Sequence, residues 1–318
     1  MSVTILQPGP YSTIQDRGRF GYQHLGVPTG GALDREALAI GNALLGNDAH
    51  INGIEICFGG FSVQFDVASR ITLVGSVGAT LTVEEKSGKI TDYRTCDVIE
   101  VGAGDIVTVP PFGDSLSALL CISGGLDVPV IYGGTGATPN AKIGGFEGRI
   151  LQAGDVIPLG KAGDEPSPSY QCQRDIFTKQ TELRLMLGPQ DYWFKQEAIE
   201  ALLETSYKVS PQTSRMGMRL QGAALAHKGP ADIISDAMMR GVLQVPADGQ
   251  PIIAMADHGT MGGYTKIGCV IAADIDALGR IRPGDTISFS SVTADEAALA
   301  LQQHVAARRA ALTVKSEG

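Results

Sequence analysis

Long apolar runs are missing from this chain, and no segment reaches the about eighteen uninterrupted apolar residues that a membrane-spanning helix needs. The opening "MSVTILQPGPYS" lacks the basic and then apolar regions of a signal peptide, which predicts a cytoplasmic protein. Clusters of Lys and Arg are also absent and the net charge is −9, so a nucleic-acid footprint is excluded and any anionic ligand must be met by local cations. The five cysteines, Cys57, Cys96, Cys121, Cys172 and Cys269, form no C-x-x-C pair, and their odd number and wide spacing predict buried, reduced thiols. His24, His50, His227, His258 and His304 never fall at i, i+4 spacing beside an acidic neighbour, so no metal site is expected.

What the chain does have is glycine and proline, 41 and 16 of them in 318 residues, a composition that predicts many short strands joined by turns. The length suits two domains, expected at 1–175 and 176–318, with a Pro- and Ser-rich linker, "KAGDEPSPSYQCQ", from Lys161 to Gln173. "VIEVGAGDIVTVP", "GRILQAGDVIPLG" and "GRIRPGDTISFS" each place Gly-Asp in a turn ahead of a β-rich run, and the last two match closely enough to read as closing hairpins of related halves. Three helices are predicted: one from about Asp34 to Leu45 with Asp34 as N-cap and Gly46 as stop, one from Asp191 to Glu204, and a C-terminal one opened by a Thr293/Glu296 capping box.

Several familiar motifs fail on their spacing. "GDVIPLGK" has the wrong glycine spacing for a phosphate loop, and no Ser or Thr follows its lysine. "VGSVG" begins with Val74 where a nucleophile elbow needs glycine. No lysine sits on a hairpin between methionines as covalent biotin requires, so a biotin carrier would have to be another chain.

Polar residues concentrate in the second half, in "TSRMGMRLQG", "GVLQVPADGQPI" and "ADHGTMGGYTKIG". Arg215 offers a bidentate fork and Lys266 a point charge; Asp257 supplies a carboxylate, Gln244 and Gln250 supply amides, and Gly262-Gly263-Tyr264 reads as a turn whose N–H groups can form an anion nest. Arg215, Asp257 and Lys266 are the catalytic candidates, with His258 among the binding candidates. The same stretch reads equally as a hairpin turn in which Asp248 and Gln250 bond the local backbone. Near the N-terminus, "QDRGRFGYQHLGVPTGG" (Gln15 to Gly31) carries too many glycines to serve side-chain packing; it predicts a loop lying close to other backbone, with Asp16, Arg19 and His24 as its polar contacts to substrate or partner.

Together with "NALLGN", "IGGFEGR", "SRMGMRL", "GGYTKIGCVIAADI" and "RPGD", these motifs resemble, over nearly the whole chain, the carboxyltransferase-domain, subdomain A and B family. That family includes bacterial 5-oxoprolinase C subunits, allophanate hydrolase subunit 2-like proteins and a segment of urea carboxylase. The resemblance implies a mainly β fold of two tandem cyclophilin-like β-barrel domains with a few packed helices. It also implies a cytosolic complex with a B-type, KipI-like partner subunit and in some cases a third, A-type subunit. Three activities follow: ATP-dependent opening of 5-oxoproline to glutamate, carboxyl transfer from carboxybiotin on another chain to a urea-like nitrogen, or ligand binding without turnover by a regulatory subunit. The motif "ADHGTMGGYTKIG" follows the 5-oxoprolinase pattern, departing from it at Gly259, Met261 and Thr265, where Gln, Thr and Pro are usual. "IISDAMMRG" departs as well, with Ser235-Asp236-Ala237 replacing Ser-Glu-Gly or Ser-His-Gly.

Overall fold

The three Gly-Asp repeats fold into one local device, visible in the computed structural model, which describes residues 1–163 and 170–314. In each, a glycine at positive φ (Gly104, +96°; Gly154, +91°; Gly284, +93°) bends the chain. The following aspartate then accepts the N–H three residues back: Gly102 to Asp105 at 2.6 Å, Gln152 to Asp155 at 2.8 Å and Arg282 to Asp285 at 2.7 Å. Glycine reaches that φ without steric cost and Asp closes the turn on its own backbone, which makes the motif legible in sequence. Residues 164–169 of the expected linker lie outside the described residues.

By contacts the chain divides into two units, the first comprising Met1–Arg19, Gly30–Thr178 and Ala307–Gly318, the second Phe20–Thr29 and Lys179–Ala306. The expected halves did not contain these exchanges of the 20–29 segment and the chain's end. Unit 1 carries β1 (Ser2–Pro8), β2 (Tyr11–Gln15), β3 (Gly53–Cys57), β4 (Phe61–Phe65), β5 (Ser69–Val74), β6 (Thr80–Glu84), β7 (Ile90–Arg94), β8 (Ile99–Val101), β9 (Ile106–Val109), β10 (Ser117–Ile122), β11 (Val156–Pro158) and β12 (Tyr170–Cys172). They form a six-stranded sheet, β11-β1-β4-β9-β6-β7, and a five-stranded sheet, β2-β3-β10-β5-β8. One core joins the two sheets, Ile5, Phe61, Val63 and Val107 from the first meeting Ile14, Ile54, Leu73 and Leu120 from the second. Each such buried side chain contributes about 1.5–3 kcal/mol. Helix α1 (Arg35–Leu45) is capped by Asp34, which accepts the Ala37 N–H at 2.8 Å, and ends at Gly46 with φ +72°.

Unit 2 contains β13 (Glu182–Leu187), β14 (Tyr207–Val209), β15 (Gly217–Gln221), β16 (Asp232–Ala237), β17 (Val242–Val245), β18 (Ile252–Ala254), β19 (Met261–Val270) and β20 (Thr286–Ser291). The order β13-β20-β14-β15-β18-β17-β19 closes through a β13–β19 ladder into a seven-stranded barrel, and β16 adds to the first residues of β19. Alternation along the strands buries Leu183 and Leu185, Tyr207 and Val209, Met218 and Leu220, and Ile287 and Phe289, the period-2 pattern of strands with one face inward. Helix α2 is shorter than expected, Gln196–Glu204, because Asp191–Trp193 forms a separate 3₁₀ turn. Phe194 is fully buried with its ring 4.6 Å from His227, and Lys195 N–H donates to Ala226 O at 3.1 Å while Lys228 N–H donates to Trp193 O at 2.7 Å. Those long-range bonds take the backbone groups a continuous helix would use. Helix α3 (Ala294–Ala311) opens on the expected box, Thr293 N–H to Glu296 Oε2 at 2.8 Å and Glu296 N–H to Thr293 Oγ1 at 3.3 Å; β21 (Leu312–Val314) follows it and pairs with β12 in unit 1. Among the described residues no helix is long and apolar enough to cross a membrane.

Candidate functional site

In unit 2, β17, β18 and the start of β19 border a cavity of about 330 Å³. β19 pairs with β17 only from Thr265 onward, so Met261 to Tyr264 overshoot that ladder and are held instead by β16. The cavity wall is therefore part strand edge and part loop, the latter supplied by His258 and Gly259. Gln244 Nε2 is buried in this wall without a hydrogen-bond partner. A buried amide in that state costs about 1–3 kcal/mol unless a ligand acceptor meets it. Gly262 lies directly against it: a Cβ there would sit 2.4 Å from Gln244 Nε2 and 2.8 Å from Met238 Sδ.

The His258 ring is buried, and its Nδ1 lies 2.7 Å from the Gly259 carbonyl oxygen. A carbonyl only accepts, so Nδ1 carries the proton and, in the neutral ring, Nε2 is the basic nitrogen. Met216, Met238, Met261, Ile252 and Ala254 make the remaining wall apolar. Gly259 and Met261, two of the departures from the family pattern, both line the cavity, whereas Thr265 is buried and bonded to His227 Nε2 at 3.0 Å. Nothing in the spacing of Met216, Met238 and Met261 along the sequence shows that the fold brings them together at this cavity.

The expected Gly262-Gly263 turn is instead extended strand. Neither glycine has positive φ, and both lie within β19. Successive N–H groups of a strand point to opposite neighbours, so they do not converge on one anion. Arg215 and Asp257 close on each other, Nε to Oδ2 and Nη2 to Oδ1 both at 2.9 Å, with Asp257 N–H also donating to Arg215 O at 2.8 Å. Neither borders the cavity, but Met216 and His258, their chain neighbours, do. The pair is thus a strut that positions two wall segments.

Lys266 is buried and its Nζ donates to Asp236 Oδ2 at 2.8 Å, while Gln190 Oε1 accepts its backbone N–H at 2.9 Å. That ammonium contact, with further hydrogen bonds from the Ala237 backbone and Gln190, holds the exposed Asp236 carboxyl below its ordinary 3.8. A depressed folded value means the ion pair's contribution is present above the unfolded pKa and is lost as pH falls through the folded one. Carboxyl-carbon NMR titration should accordingly place Asp236 below 3.8, and a value at or above it would show that the pair does not form in solution.

Gln250 takes the alternative turn reading: its Oε1 accepts the Gly222 N–H at 2.9 Å and its Nε2 donates to Gly222 O at 3.2 Å, while its own N–H donates to Asp248 at 3.0 Å. Its small recess of about 100 Å³ is a different one. Asp16 and Arg19 lie in unit 1 and bond the 131–138 segment. Asp16 accepts the Thr135 N–H at 2.6 Å and Arg19 Nε donates to Ile131 O at 2.9 Å, with Nη2 donating to Gly136 O. The glycine loop does run against backbone, since a Cβ on Gly31 would lie 2.6 Å from the Gly18 nitrogen. His24 is exposed in the 3₁₀ turn Gln23–Leu25 of unit 2. Of the sequence candidates, Gln244, His258, Gly262, Gly263 and Tyr264 come together at the cavity. Among the described residues no group of three or more His, Cys, Asp or Glu is placed to hold a metal.

Comparison with known proteins places this geometry in context. The 5-oxoprolinase C subunits of Escherichia coli K12 and Haemophilus influenzae are both 34% identical to this chain, the first over 298 residues spanning 94% of each chain and the second over 303 residues spanning 93% of each. The crystal structure of Kluyveromyces lactis urea carboxylase superposes with a TM-score of 0.87 at 26% identity, covering 96% of this chain and 29% of that one. The model of the carboxyltransferase domain, subdomain A and B, matches residues 25–291. With barrel, motifs and relatives in agreement over most of its length, the chain belongs to the carboxyltransferase domain, subdomain A and B, family.

Proposed function

We propose that this chain is the C-type subunit of an ATP-dependent 5-oxoprolinase, working in a cytoplasmic complex with a KipI-like B-type subunit and an A-type subunit to open 5-oxoproline to glutamate. Similarity to two 5-oxoprolinase C subunits over nearly their full length supports the assignment. The observation that carries it to a site is the unpartnered Gln244 Nε2 in the cavity wall. A lactam carbonyl is the acceptor this donor lacks, and as the ring opens negative charge gathers on that oxygen, where a buried, preorganised N–H acts most strongly. A volume of about 330 Å³ suits a small ring. Met216, Met238 and Ile252 give its methylenes an apolar surface, and the His258 ring, held through Nδ1 at the Gly259 carbonyl, lies beside it.

Among the described residues no Lys or Arg lines this cavity, so its wall does not suit a triphosphate, and in the proposed function ATP is assigned to another part of the complex. The testing experiment is co-expression with the neighbouring B- and A-type subunits and assay of ATP-dependent glutamate release from 5-oxoproline, with and without avidin. Release insensitive to avidin is expected. Avidin-sensitive carboxyl transfer to a urea-like substrate would replace this reading with the biotin-dependent one, and stable assembly without turnover would leave a regulatory binding subunit.

A further inference from the structure

We infer that Cys96 and Cys172, in unit 1, form a reactive thiol pair that a hydroperoxide converts into a reversible intramolecular disulfide, with Cys172 as the attacking sulfur. Both thiols border one cavity of about 440 Å³, together with Tyr93, Asp97, Tyr170 and Arg174. Cys96 belongs to the buried cluster around α1, and Cys172 packs against that cluster although it is widely separated from Cys96 in the chain. Cys96 is buried, at a left-handed turn with φ +66° that its N–H fixes by donating to Leu73 O at 2.8 Å. Cys172 is half-buried at the end of β12, so the pair has one protected and one accessible member. Arg174 ties the two segments together, donating from Nε to Thr95 O at 2.6 Å and from Nη2 to Asp97.

The chemistry of the two sulfurs differs. Neighbouring Cys96 and Arg174 favour the Cys172 thiolate, outweighing burial and the carboxylates of Glu36 and Asp175. Cys96 correspondingly holds its proton, pushed well above the ordinary thiol range by neighbouring Cys172 and by burial. Cys121 and Cys269 are pushed up by burial, to about 12 and about 11, and stay protonated. Only a thiolate attacks a peroxide efficiently.

In the step, Cys172 sulfur attacks one peroxide oxygen and the O–O bond breaks. Cys172 becomes a sulfenic acid, and the other oxygen leaves as alkoxide or hydroxide and takes a proton from water. Cys96 sulfur then attacks Cys172 sulfur, forming S–S and breaking S–O, and its proton leaves with the hydroxyl group as water. Two thiols are oxidised and one peroxide is reduced. The bond would tie the β12–β21 strand pair, in which Cys172 faces Leu312, to the Thr95–Asp97 turn.

The test treats the full chain with a small excess of hydrogen peroxide, blocks remaining thiols and maps peptides by mass spectrometry. A Cys96–Cys172 cross-link in most molecules, reversed by dithiothreitol, is expected. Cys172→Ser should abolish it, while Cys96→Ser should leave a dimedone-trappable sulfenic acid on Cys172. Without peroxide, iodoacetamide at neutral pH should alkylate Cys172 at least about tenfold faster than Cys269. Failure of the cross-link in the unaltered chain, or oxidation of Cys57 or Cys269 ahead of Cys172, would overturn the inference.

Discussion

Arg215→Ala is expected to destabilise the seven-stranded barrel by about 3–5 kcal/mol, because it strands a buried carboxylate. The Asp257 side chain is 2% exposed and both its oxygens are taken by the Arg215 fork at 2.9 Å. A domain holds only about 5–15 kcal/mol in total, so thermal unfolding should shift by many degrees and soluble yield should fall. Arg215→Lys should recover only part of this, since an ammonium cannot engage both oxygens in the same plane. The double variant Arg215→Met with Asp257→Leu is the decisive control: with no charge left buried, most of the stability should return. If Arg215→Ala folded with near-normal stability but lost turnover, the pair would be part of the chemistry rather than a strut, as the arginine's place among polar motifs first suggested.

Gln244→Leu tests the other half of the site. Leucine keeps roughly the side chain's volume but removes the unpartnered Nε2 donor, so the barrel should fold as well or slightly better. Turnover of 5-oxoproline by the reconstituted complex should fall by about 10²–10³, the loss seen when one preorganised donor to a developing oxyanion is removed. The loss should appear in kcat rather than KM if the bond tightens in the transition state, and co-purification with the partner subunits should be unchanged. Gln250→Leu is the matched comparison, since that amide is bonded to Gly222 in a turn and should cost about 0.5–1.5 kcal/mol of stability with little effect on turnover. Equal activity in Gln244→Leu and the parent complex would remove this cavity from the reaction.

These contrasts explain why some of the molecule was legible in its sequence. The Gly-Asp turns, the Asp34 and Thr293 caps and the strand alternation are settled within a few residues, where φ preference and one short hydrogen bond decide the outcome. The mainly β, barrel-forming architecture follows from that density of short strands and turns together with the family motifs. Gln244 and Gln250 look alike in sequence as amides close to apolar runs, yet one faces a cavity from within β17 and the other locks a turn.

The amino-acid order by itself determined where the chain turns, where α1 and α3 begin, which residues face inward along a strand, and which family it matches. Only the tertiary structure decided that the helix expected from Asp191 breaks at Phe194, that Gly262 and Gly263 are strand rather than turn, that Arg215 is engaged by Asp257, and that Cys96 and Cys172 border one cavity. Each of these depends on a partner many residues away in the chain, and the free energy of such a contact exists only once the fold has brought both members together and removed the water between them.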